Sequence, residues 1–405
     1  MSASAPEPET AIVLPGGGAR AAYQVGVLRA IARLLPDGES SPFRIVSGTS
    51  AGAINAVMLA IHAESLRVAV ARLTRLWRNL GVDQVYRSDL TTLSRHGMQW
   101  LTDVLTGHSG PARAAAMLDN SPLAALVAQA VSFDRIEAQI ERGLLSAVAV
   151  NATSYATGQA VSFFAGADRL PGWRRIRRRG VRCKLAIDHI MASAAIPFVF
   201  PAIRIGDDYF MDGSVRHIAP LSPALHLGAK RVLVIAVGQF TGQAPTFVHP
   251  AVPPYPSFAQ VAGHALSAIF LDNLAGDLER LQQFNRVVDM VPPGALVSRG
   301  YDVGHVDALA FSPSRDLGAL ALAYVDRLPR GVRYLLGGFG STQGTGANLL
   351  SYLLFDREYT RELIKLGYAD AMARRDELAQ FLGEDRTRRT KARPAPRVAQ
   401  ALPPL

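Results

Sequence analysis

Residues 10–18 read TAIVLPGGG and residues 43–50 read FRIVSGTS, and these two stretches decide the fold. Each contains a short β-branched run that ends in small residues, which predicts a buried strand followed by a tight turn. The segment after each turn is rich in alanine and carries apolar residues at helical spacing, which predicts a helix. Two consecutive strand–turn–helix units predict parallel strands in a sheet that helices cover on both faces.

Later segments continue this alternation. The runs LLSAVAVNATS, VSFFAG and RVLVIAVG, which begin at residues 144, 161 and 231, predict further strands. Residues 51–77 predict one long helix, and KLAIDHIMASAAIP at residues 184–197 predicts another. We therefore predict an α/β fold, a three-layer sandwich with a mostly parallel central sheet.

Composition divides the chain into four segments. We expect a flexible N-terminus at residues 1–9, an α/β segment from residue 10, a largely helical stretch from about 257 to 382 and a disordered tail at 384–405. The tail is basic and rich in proline, which is typical of disorder. Residues 85–121 depart from the strand–helix rhythm, and we expect them to cap a site.

The charge of the chain is concentrated in two places. The 405 residues are 49% hydrophobic and 19% charged, which excludes a mainly disordered or collagenous protein. The net charge of +10 suggests an anionic partner. The segment from Arg169 to Lys184 (residues 169–184) contains eight basic side chains and no acidic one. Residues 386–397 contain six basic side chains and no acidic one. The rest of the chain therefore carries a net charge of −4.

The cysteine count and the lengths of the apolar runs limit the cellular compartments and the kinds of metal site that we expect. Cys183 is the single cysteine, which excludes a disulfide framework and a cysteine-based metal cluster. No secretory signal precedes residue 10 and no apolar run reaches the length of a membrane span, so we expect a cytoplasmic protein, soluble or peripheral to a membrane. We expect no metal and no cofactor, because no ligand cluster has the required spacing.

Gly16, Gly17 and Gly18 follow the first strand and open the first helix. Bare backbone N–H groups at a helix N-terminus attract a negative charge, either a phosphate or a transient oxyanion. The pattern from Gly16 to Ala21 also fits a dinucleotide fingerprint, with acids at 37 and 39. That fingerprint needs its acid at the end of the second strand, whereas these acids precede the strand. A glycine-rich turn without a ligand is the remaining interpretation.

The second turn carries the pattern Gly48-x-Ser50-x-Gly52. Between a strand and a helix this pattern is typical of a nucleophile elbow, in which a sharp turn projects the serine hydroxyl above the sheet edge. An isolated match is better explained as a serine that caps a helix. Because the two turns lie one βα unit apart, adjacent parallel strands would place Ser50 beside the glycine loop. Such an arrangement is a nucleophile beside its oxyanion hole.

A serine nucleophile needs a base. None of the nine histidines has a context that marks it as catalytic, although His217 follows closely after Asp212-Gly213. A partly desolvated carboxylate such as Asp212 can accept the proton of the serine. An Asp-Gly pair is also common in a hairpin turn with no catalytic role.

Together these motifs resemble those of the patatin-like phospholipases. GGGAR from Gly16 to Arg20, GTSAG from Gly48 to Gly52 and the later Asp212-Gly213 occur in the family's order, and MASAAIPFVFPA at residues 191–202 is also similar. The resemblance covers about residues 11–291, which implies a catalytic domain at 10–291 followed by a helical C-terminal extension at 292–383. LLFDREYTRELIKLGYADA at residues 353–371 resembles the C-terminal helical extension of a bacterial subgroup.

The resemblance implies a Ser–Asp dyad without a catalytic histidine. Ser50 would be the nucleophile and Asp212 its base, and backbone amides of the glycine loop, up to Ala19, would hold the oxyanion. Arg20 would support that loop or attract an anionic head group. Ser214 departs from the smaller residue that commonly follows Asp-Gly in the family.

The implied activity is hydrolysis of fatty-acyl esters of lipids through an acyl-enzyme. The alternative is a non-catalytic protein on the same fold that binds a lipid or a nucleotide. Residues 169–184 contain Trp173 and Ile176 among arginines, which fits either a segment that contacts an anionic membrane or a solvated charged connection. A nucleic-acid partner is not expected, because no recognition module is present.

Overall fold

The computed structural model describes residues 9–87, 116, 118–216, 219–240, 273–292, 295–299, 304–333 and 346–383. The tail that was expected to be disordered, most of the expected cap and His217 lie outside the described residues.

One sheet of ten strands organises the described residues. The strands are β1 (Thr10–Leu14), β2 (Ile45–Thr49), β3 (Ala147–Ser154), β4 (Ala160–Gly166), β5 (Trp173–Arg175), β6 (Arg178–Arg182), β7 (Ile203–Ile205), β8 (Asp208–Asp212), β9 (Arg231–Ile235) and β10 (Asp307–Phe311). Eight of them lie in the order β10-β9-β1-β2-β3-β4-β6-β5, while β8 pairs with β3 and with β7. The first five strands of this order are mutually parallel, and β4 and β8 pair antiparallel with β3. The carboxyl ends of β1, β2 and β3 therefore meet at one edge.

Helices cover both faces of this sheet. The helices are α1 (Ala22–Leu34), α2 (Ala51–Ile61), α3 (Leu66–Asn79), α4 (Ser121–Ala130), α5 (Asp134–Glu141), α6 (Ile187–Ser193), α7 (Ser222–His226), α8 (Asn273–Met290), α9 (Leu317–Leu322), α10 (Gly346–Leu353), α11 (Arg357–Ala373) and α12 (Arg375–Leu382). Ile12 and Leu14 of β1 face a core shared with α1 to α3 and α11, whereas Ala11 and Val13 face a second core shared with α7 and α8. Because side chains alternate along a strand, β1 is buried on both faces. The predicted three-layer α/β sandwich is confirmed.

The structure corrects one predicted helix and adds strands. Residues 51–77 form two helices, α2 and α3, because the chain turns at residues 62–65 and Ser65 caps α3 by accepting a hydrogen bond from the Val68 N–H. The expected helical extension, residues 292–383, is helical in large part but also supplies β10, which pairs with β9. The sheet therefore continues past residue 291. The short strands β5 to β8 are too brief to show a clear alternating pattern.

Helix α11 packs against α1 with their backbones in close contact. A Cβ atom placed on Gly26 of α1 would lie 2.2 Å from the Ile364 carbonyl oxygen, and one on Gly367 of α11 would lie 2.2 Å from the Tyr23 carbonyl oxygen. Real Cβ atoms do not approach so closely, so both positions require glycine. The Tyr23 hydroxyl also donates a hydrogen bond of 3.0 Å to Asp370.

This contact predicts that Gly367→Ala lowers the free energy of unfolding by about 2 kcal/mol, because the added methyl group forces the two helices apart. The matched control is Gly276→Ala in α8, where a Cβ atom meets nothing within 4 Å. There the higher helix propensity of alanine should leave stability unchanged or raise it by up to about 1 kcal/mol. Urea unfolding of both variants checks the pair. Equal stability of the two variants would contradict the close packing of α1 and α11.

Candidate active site

The glycine loop and the turn at Ser50 lie side by side at the carboxyl edge of the sheet. Strands β1 and β2 are parallel neighbours, with Leu14 opposite Gly48, so the turns that follow them leave the sheet at the same level. A Cβ atom placed on Gly16 would lie 2.9 Å from Ser50 Cβ and 2.6 Å from Ser214 Oγ. The loop therefore packs directly against the serine, and only glycine fits at position 16.

Ser50 sits in a strained turn. Its backbone has φ 54° and ψ −130°, a combination that residues other than glycine rarely adopt. The flanking glycines permit this turn, because Cβ atoms on Gly48 and Gly52 would lie 2.5 Å from the Gly52 carbonyl oxygen and 2.1 Å from the Leu14 carbonyl oxygen. Helix α2 can therefore begin immediately beside the end of β1. Ser50 therefore lies on a sharp turn between β2 and α2.

Two buried polar residues that sequence reasoning missed support the turn. The Ser50 N–H donates a hydrogen bond of 2.8 Å to Ser193 Oγ, and the Ser193 hydroxyl donates one of 2.5 Å to the Asn151 carbonyl oxygen. The Asn151 side-chain amide in turn donates to the Gly48 carbonyl oxygen at 3.0 Å. The only signals in the sequence are an asparagine inside an apolar strand and a serine inside the MASAAIP run.

Asp212 ends β8 and is fully buried. Strand β8 pairs antiparallel with the end of β3, with Asp212 opposite Ala152, and the Asp212 N–H donates to the Ala195 carbonyl oxygen at 2.8 Å. Its Oδ1 accepts a hydrogen bond of 2.8 Å from the Ser214 N–H. Its Oδ2 is buried and has no hydrogen bond of standard geometry within the described ranges. One carboxyl oxygen is therefore fixed and the other remains available.

The burial of Asp212 changes its protonation. Removal from water raises the pKa of the Asp212 carboxyl from 3.8 to about 6, and the Ser50 hydroxyl and the Ser214 backbone and hydroxyl partly oppose this by lowering the pKa. The Ser50 hydroxyl is thus close enough to influence the carboxyl, although it makes no standard hydrogen bond with Oδ2. At neutral pH the carboxyl is ionised and poorly solvated, which is the state that a general base requires.

The glycine loop offers hydrogen-bond donors. Neither the Gly17 N–H nor the Gly18 N–H has an acceptor in the described part of the chain. Gly18 has φ 53° and begins a short 3₁₀ turn, Gly18–Ala21, that leads into α1. Arg20 is only 2% exposed, and its Nε donates a hydrogen bond of 2.7 Å to Ser351 Oγ. A side chain buried in this way supports the loop, and it does not reach a head group outside the protein.

An apolar cavity opens beside Ser50. Its walls come from α2, α3, α4 and the segment that joins α10 to α11, and they are almost entirely hydrophobic. Ile54 and Met58 follow Ser50 along one face of α2, and both line the cavity. At 1.5 Å per residue, Met58 lies about 12 Å along the helix from Ser50. The lining also includes Leu76, Trp77, Leu123, Val127, Leu353 and Phe355.

The described histidines and the cysteine lie in other surroundings. His62 contacts Glu64, His226 stacks on Trp173 and His305 contacts Asp289. His189 lies 3.6 Å from the Cys183 sulfur, but burial raises the pKa of the Cys183 thiol to about 11 and lowers the pKa of His189. A protonated thiol is a poor nucleophile, so this pair is not a catalytic dyad at neutral pH.

The dinucleotide interpretation has no support in the geometry. Asp37 lies in the turn after α1 and makes an ion pair of 2.6 Å with Arg67. Helix α1 separates Asp37 from the glycine loop by about 20 Å, so the acid lies at the opposite edge of the sheet. Among the residues that the structure describes, no three His, Cys, Asp or Glu side chains group as a metal site.

Sequence comparison assigns the family. The sequence model of the patatin-like phospholipases matches residues 12–225, which is more than half of the chain. The chain therefore belongs to the patatin-like phospholipase family, and the resemblance seen in its motifs is confirmed. A search among curated proteins gives no match.

Three solved structures are similar at low identity. VipD from Legionella pneumophila is 14% identical with a TM-score of 0.38, over 94% of this chain and 68% of VipD. Human GIVD cytosolic phospholipase A2 with methyl gamma-linolenyl fluorophosphonate is 14% identical with a TM-score of 0.42, over 93% of this chain and 58% of the enzyme. ExoU from Pseudomonas aeruginosa, in complex with SpcU, is 14% identical with a TM-score of 0.27, over 93% of this chain and 80% of that chain. This chain thus spans only part of each protein's length.

The burial of Asp212 predicts a pH-dependent stability. Because the pKa in the folded protein, about 6, lies above 3.8, the folded state binds the proton more tightly, and this contribution is lost as the pH rises through 6. At pH 8 the neutral variant Asp212→Asn should therefore be more stable than wild type by up to about 3 kcal/mol, and at pH 5 by about half as much. Urea unfolding at both pH values measures the difference.

Asp207→Asn is the control for the substitution itself, since the side chain of Asp207 is fully exposed, and its stability should stay within about 0.5 kcal/mol of wild type. A stability gain in Asp212→Asn that is the same at pH 5 and pH 8 would contradict the raised pKa.

Proposed function

We propose that the protein is a serine acyl hydrolase that cleaves fatty-acyl esters of lipids. The observation that carries this proposal is the Ser50 hydroxyl, which lies beside a buried carboxyl group and lines an apolar cavity. Membership of the patatin-like phospholipases supports a lipid ester as the substrate. The reaction is assigned to Ser50 as nucleophile and Asp212 as base.

In the first half of the reaction, Ser50 Oγ attacks the ester carbonyl carbon and its proton moves to the Asp212 carboxylate. The carbonyl oxygen becomes an oxyanion, which the N–H groups of Gly17 and Gly18 can bind, with Ala19 as a further candidate. In comparable sites the loss of one such donor costs about 3 kcal/mol of transition-state stabilisation. The tetrahedral intermediate expels the alcohol, which takes the proton from Asp212 and leaves an acyl-enzyme.

In the second half, water gives a proton to Asp212 while its oxygen attacks the acyl carbon. The same donors bind the second oxyanion. When this intermediate collapses, Ser50 Oγ recovers the proton from Asp212 and the fatty acid leaves.

The apolar lining of the cavity supports a fatty-acyl group as the acid part of the substrate. A hydrocarbon chain buried among Ile54, Met58 and the apolar lining gains roughly 0.8 kcal/mol per methylene group. A nucleotide would instead bring polar groups that this lining cannot bind by hydrogen bonds. The geometry therefore favours a hydrolase of acyl esters over the alternative of a non-catalytic nucleotide binder. A non-catalytic lipid binder is distinguished from a hydrolase by the labelling and hydrolysis experiment on Ser50 and Asp212.

The test of the dyad is covalent labelling with a fluorophosphonate together with hydrolysis of a lipid ester. We expect wild type to be labelled at Ser50, Ser50→Ala to be neither labelled nor active, and Asp212→Asn to lose at least about a hundredfold in kcat/KM. Because the base must be ionised, kcat/KM of wild type should fall as the pH drops below about 6.

Asp208→Asn, four residues away on the same strand, is the control and should retain activity. Unlabelled wild type, or full activity in Ser50→Ala, would overturn the assignment.

We also propose that the basic stretch at residues 169–184 contacts an anionic membrane through the turn between β5 and β6. The ends of the stretch are neutralised by ion pairs, Arg169 with Glu9, Arg182 with Asp168 and Lys184 with Asp134. At the turn, Arg174, Arg175 and Arg177 are exposed, and Ile176 between them is 90% exposed. An apolar side chain surrounded by cations fits the interface of an anionic bilayer.

The register of the strands supports a membrane position on the same side of the protein as Ser50. Arg178 of β6 lies opposite Ala160 of β4, which lies opposite Thr153 near the carboxyl end of β3. The turn at Ile176 therefore leaves the sheet at the same edge as Ser50. A membrane bound at this turn would face the candidate active site.

Co-sedimentation with phosphatidylcholine vesicles, with and without phosphatidylglycerol, tests this contact. We expect wild type to bind only the anionic vesicles and the double variant Arg174→Ser/Arg175→Ser to bind them about thirtyfold more weakly, since each basic residue contributes about 1 kcal/mol. Ile176→Asp should also weaken binding. Met290→Asp, at an exposed apolar residue of α8, is the control and should bind as wild type does. Unchanged binding of the arginine variant would contradict the proposal.

A further inference from the structure

The residues that hold the glycine loop come from the far end of the chain. Arg20 follows the loop directly and is 2% exposed, so its cation needs partners inside the protein. Its Nε donates a hydrogen bond of 2.7 Å to the hydroxyl of Ser351, which is fully buried in α10. Its guanidinium group also lies over the ring of Tyr352, 4.5 Å from the centroid.

Tyr352 contacts the loop through its backbone as well. A Cβ atom placed on Gly18 would lie 2.2 Å from the Tyr352 carbonyl oxygen and 2.9 Å from its carbonyl carbon. The loop at Gly18 is therefore in van der Waals contact with α10 on one side, while Gly16 is in contact with Ser50 on the other. A displacement of α10 would change the position of the donors relative to Ser50.

Helix α10 and the residues that follow it, as far as the start of α11, are held by contacts that do not involve the loop. The Tyr86 hydroxyl donates a hydrogen bond of 2.9 Å to the Leu353 carbonyl oxygen, and the Thr360 hydroxyl donates one of 2.8 Å to the Trp77 carbonyl oxygen. Phe355 stacks on Trp77 with ring centroids 6.5 Å apart. These contacts give α10 a fixed position from which it can hold another segment.

We propose that Ser351 and Tyr352 are positioning residues that hold Arg20 and Gly18, and through them the oxyanion donors, at the distance from Ser50 that the reaction needs. This inference rests on the proposed function. Both residues lie outside residues 12–225, the part that the family model matches. The C-terminal region thus supplies part of the candidate active site, although neither side chain touches the reacting atoms.

The test compares Ser351→Ala, Tyr352→Leu and Tyr352→Phe. Hydrolysis of a p-nitrophenyl ester is measured per active site, with the sites counted by fluorophosphonate labelling, so that misfolded protein does not enter the rate. Ser351→Ala and Tyr352→Leu should lower kcat by about tenfold to a hundredfold with KM nearly unchanged, because only the transition state uses the donors. Tyr352→Phe keeps the ring over Arg20 and should retain the activity of wild type.

Two controls separate positioning from folding. Ser314→Ala removes another hydroxyl of the C-terminal region, which donates to Asp370 at 2.6 Å, and should leave kcat per active site unchanged. In a variant that already carries Arg20→Ala, the added Ser351→Ala should have little further effect, because both act through the same contact. Independent effects of the two substitutions would contradict the shared role.

A second readout does not depend on activity. Amide hydrogen exchange of the peptide that contains Gly17 and Gly18 should become faster in Ser351→Ala and Tyr352→Leu and should not change in Ser314→Ala. If wild type hydrolyses esters but Ser351→Ala and Tyr352→Leu keep its kcat, only the positioning inference fails. If wild type is neither labelled nor active, the proposed function fails, and unchanged exchange would then overturn the positioning inference as well.

Discussion

The burial of the Asp212 carboxyl beside Ser50 is the interaction on which the rest of this structure depends. With its pKa raised from 3.8 to about 6, the ionised carboxyl costs about 3 kcal/mol at neutral pH. The fold tolerates this cost because backbone contacts fix the group: the Asp212 N–H bonds to Ala195, and the Ser214 N–H bonds to the carboxyl. A residue that only turned a hairpin would lie at the surface and carry no such cost.

A second constraint is the close approach of backbones around this carboxyl. Cβ atoms on Gly52 and Gly213 would lie 2.1 Å from the Leu14 carbonyl oxygen and 2.2 Å from the Asn151 carbonyl oxygen. These contacts bring the ends of β1, β2, β3 and β8 to one point, where Ser50 is held in its strained turn. Glycine is therefore required where these backbones meet, and the short glycine motifs in the sequence mark this meeting point.

Short sequence patterns therefore predicted those features of the fold that depend on only a few consecutive residues. The strand–glycine–helix units, the sharp turn at Ser50 and the position of Asp212 after an apolar run could all be read from a few consecutive residues. The supporting contacts could not, because they join residues far apart in the chain: Ser50 with Ser193, and Arg20 with Ser351, which is 331 positions away. The break between α2 and α3 was missed because the apolar spacing of a helix continues through it, and only the capping by Ser65 marks the new start.

The same long-range contacts set the limits of the folding unit. The family match ends at residue 225, before β9, yet β9 is the parallel neighbour of β1, and β10 pairs with β9 in turn. A chain that stopped there would leave β1 at the edge of the sheet and Arg20 without its contacts to Ser351 and Tyr352. The C-terminal region is thus a physical part of the sheet and of the support for the glycine loop. The close packing of α11 on α1 provides the apolar contact that keeps this region in place.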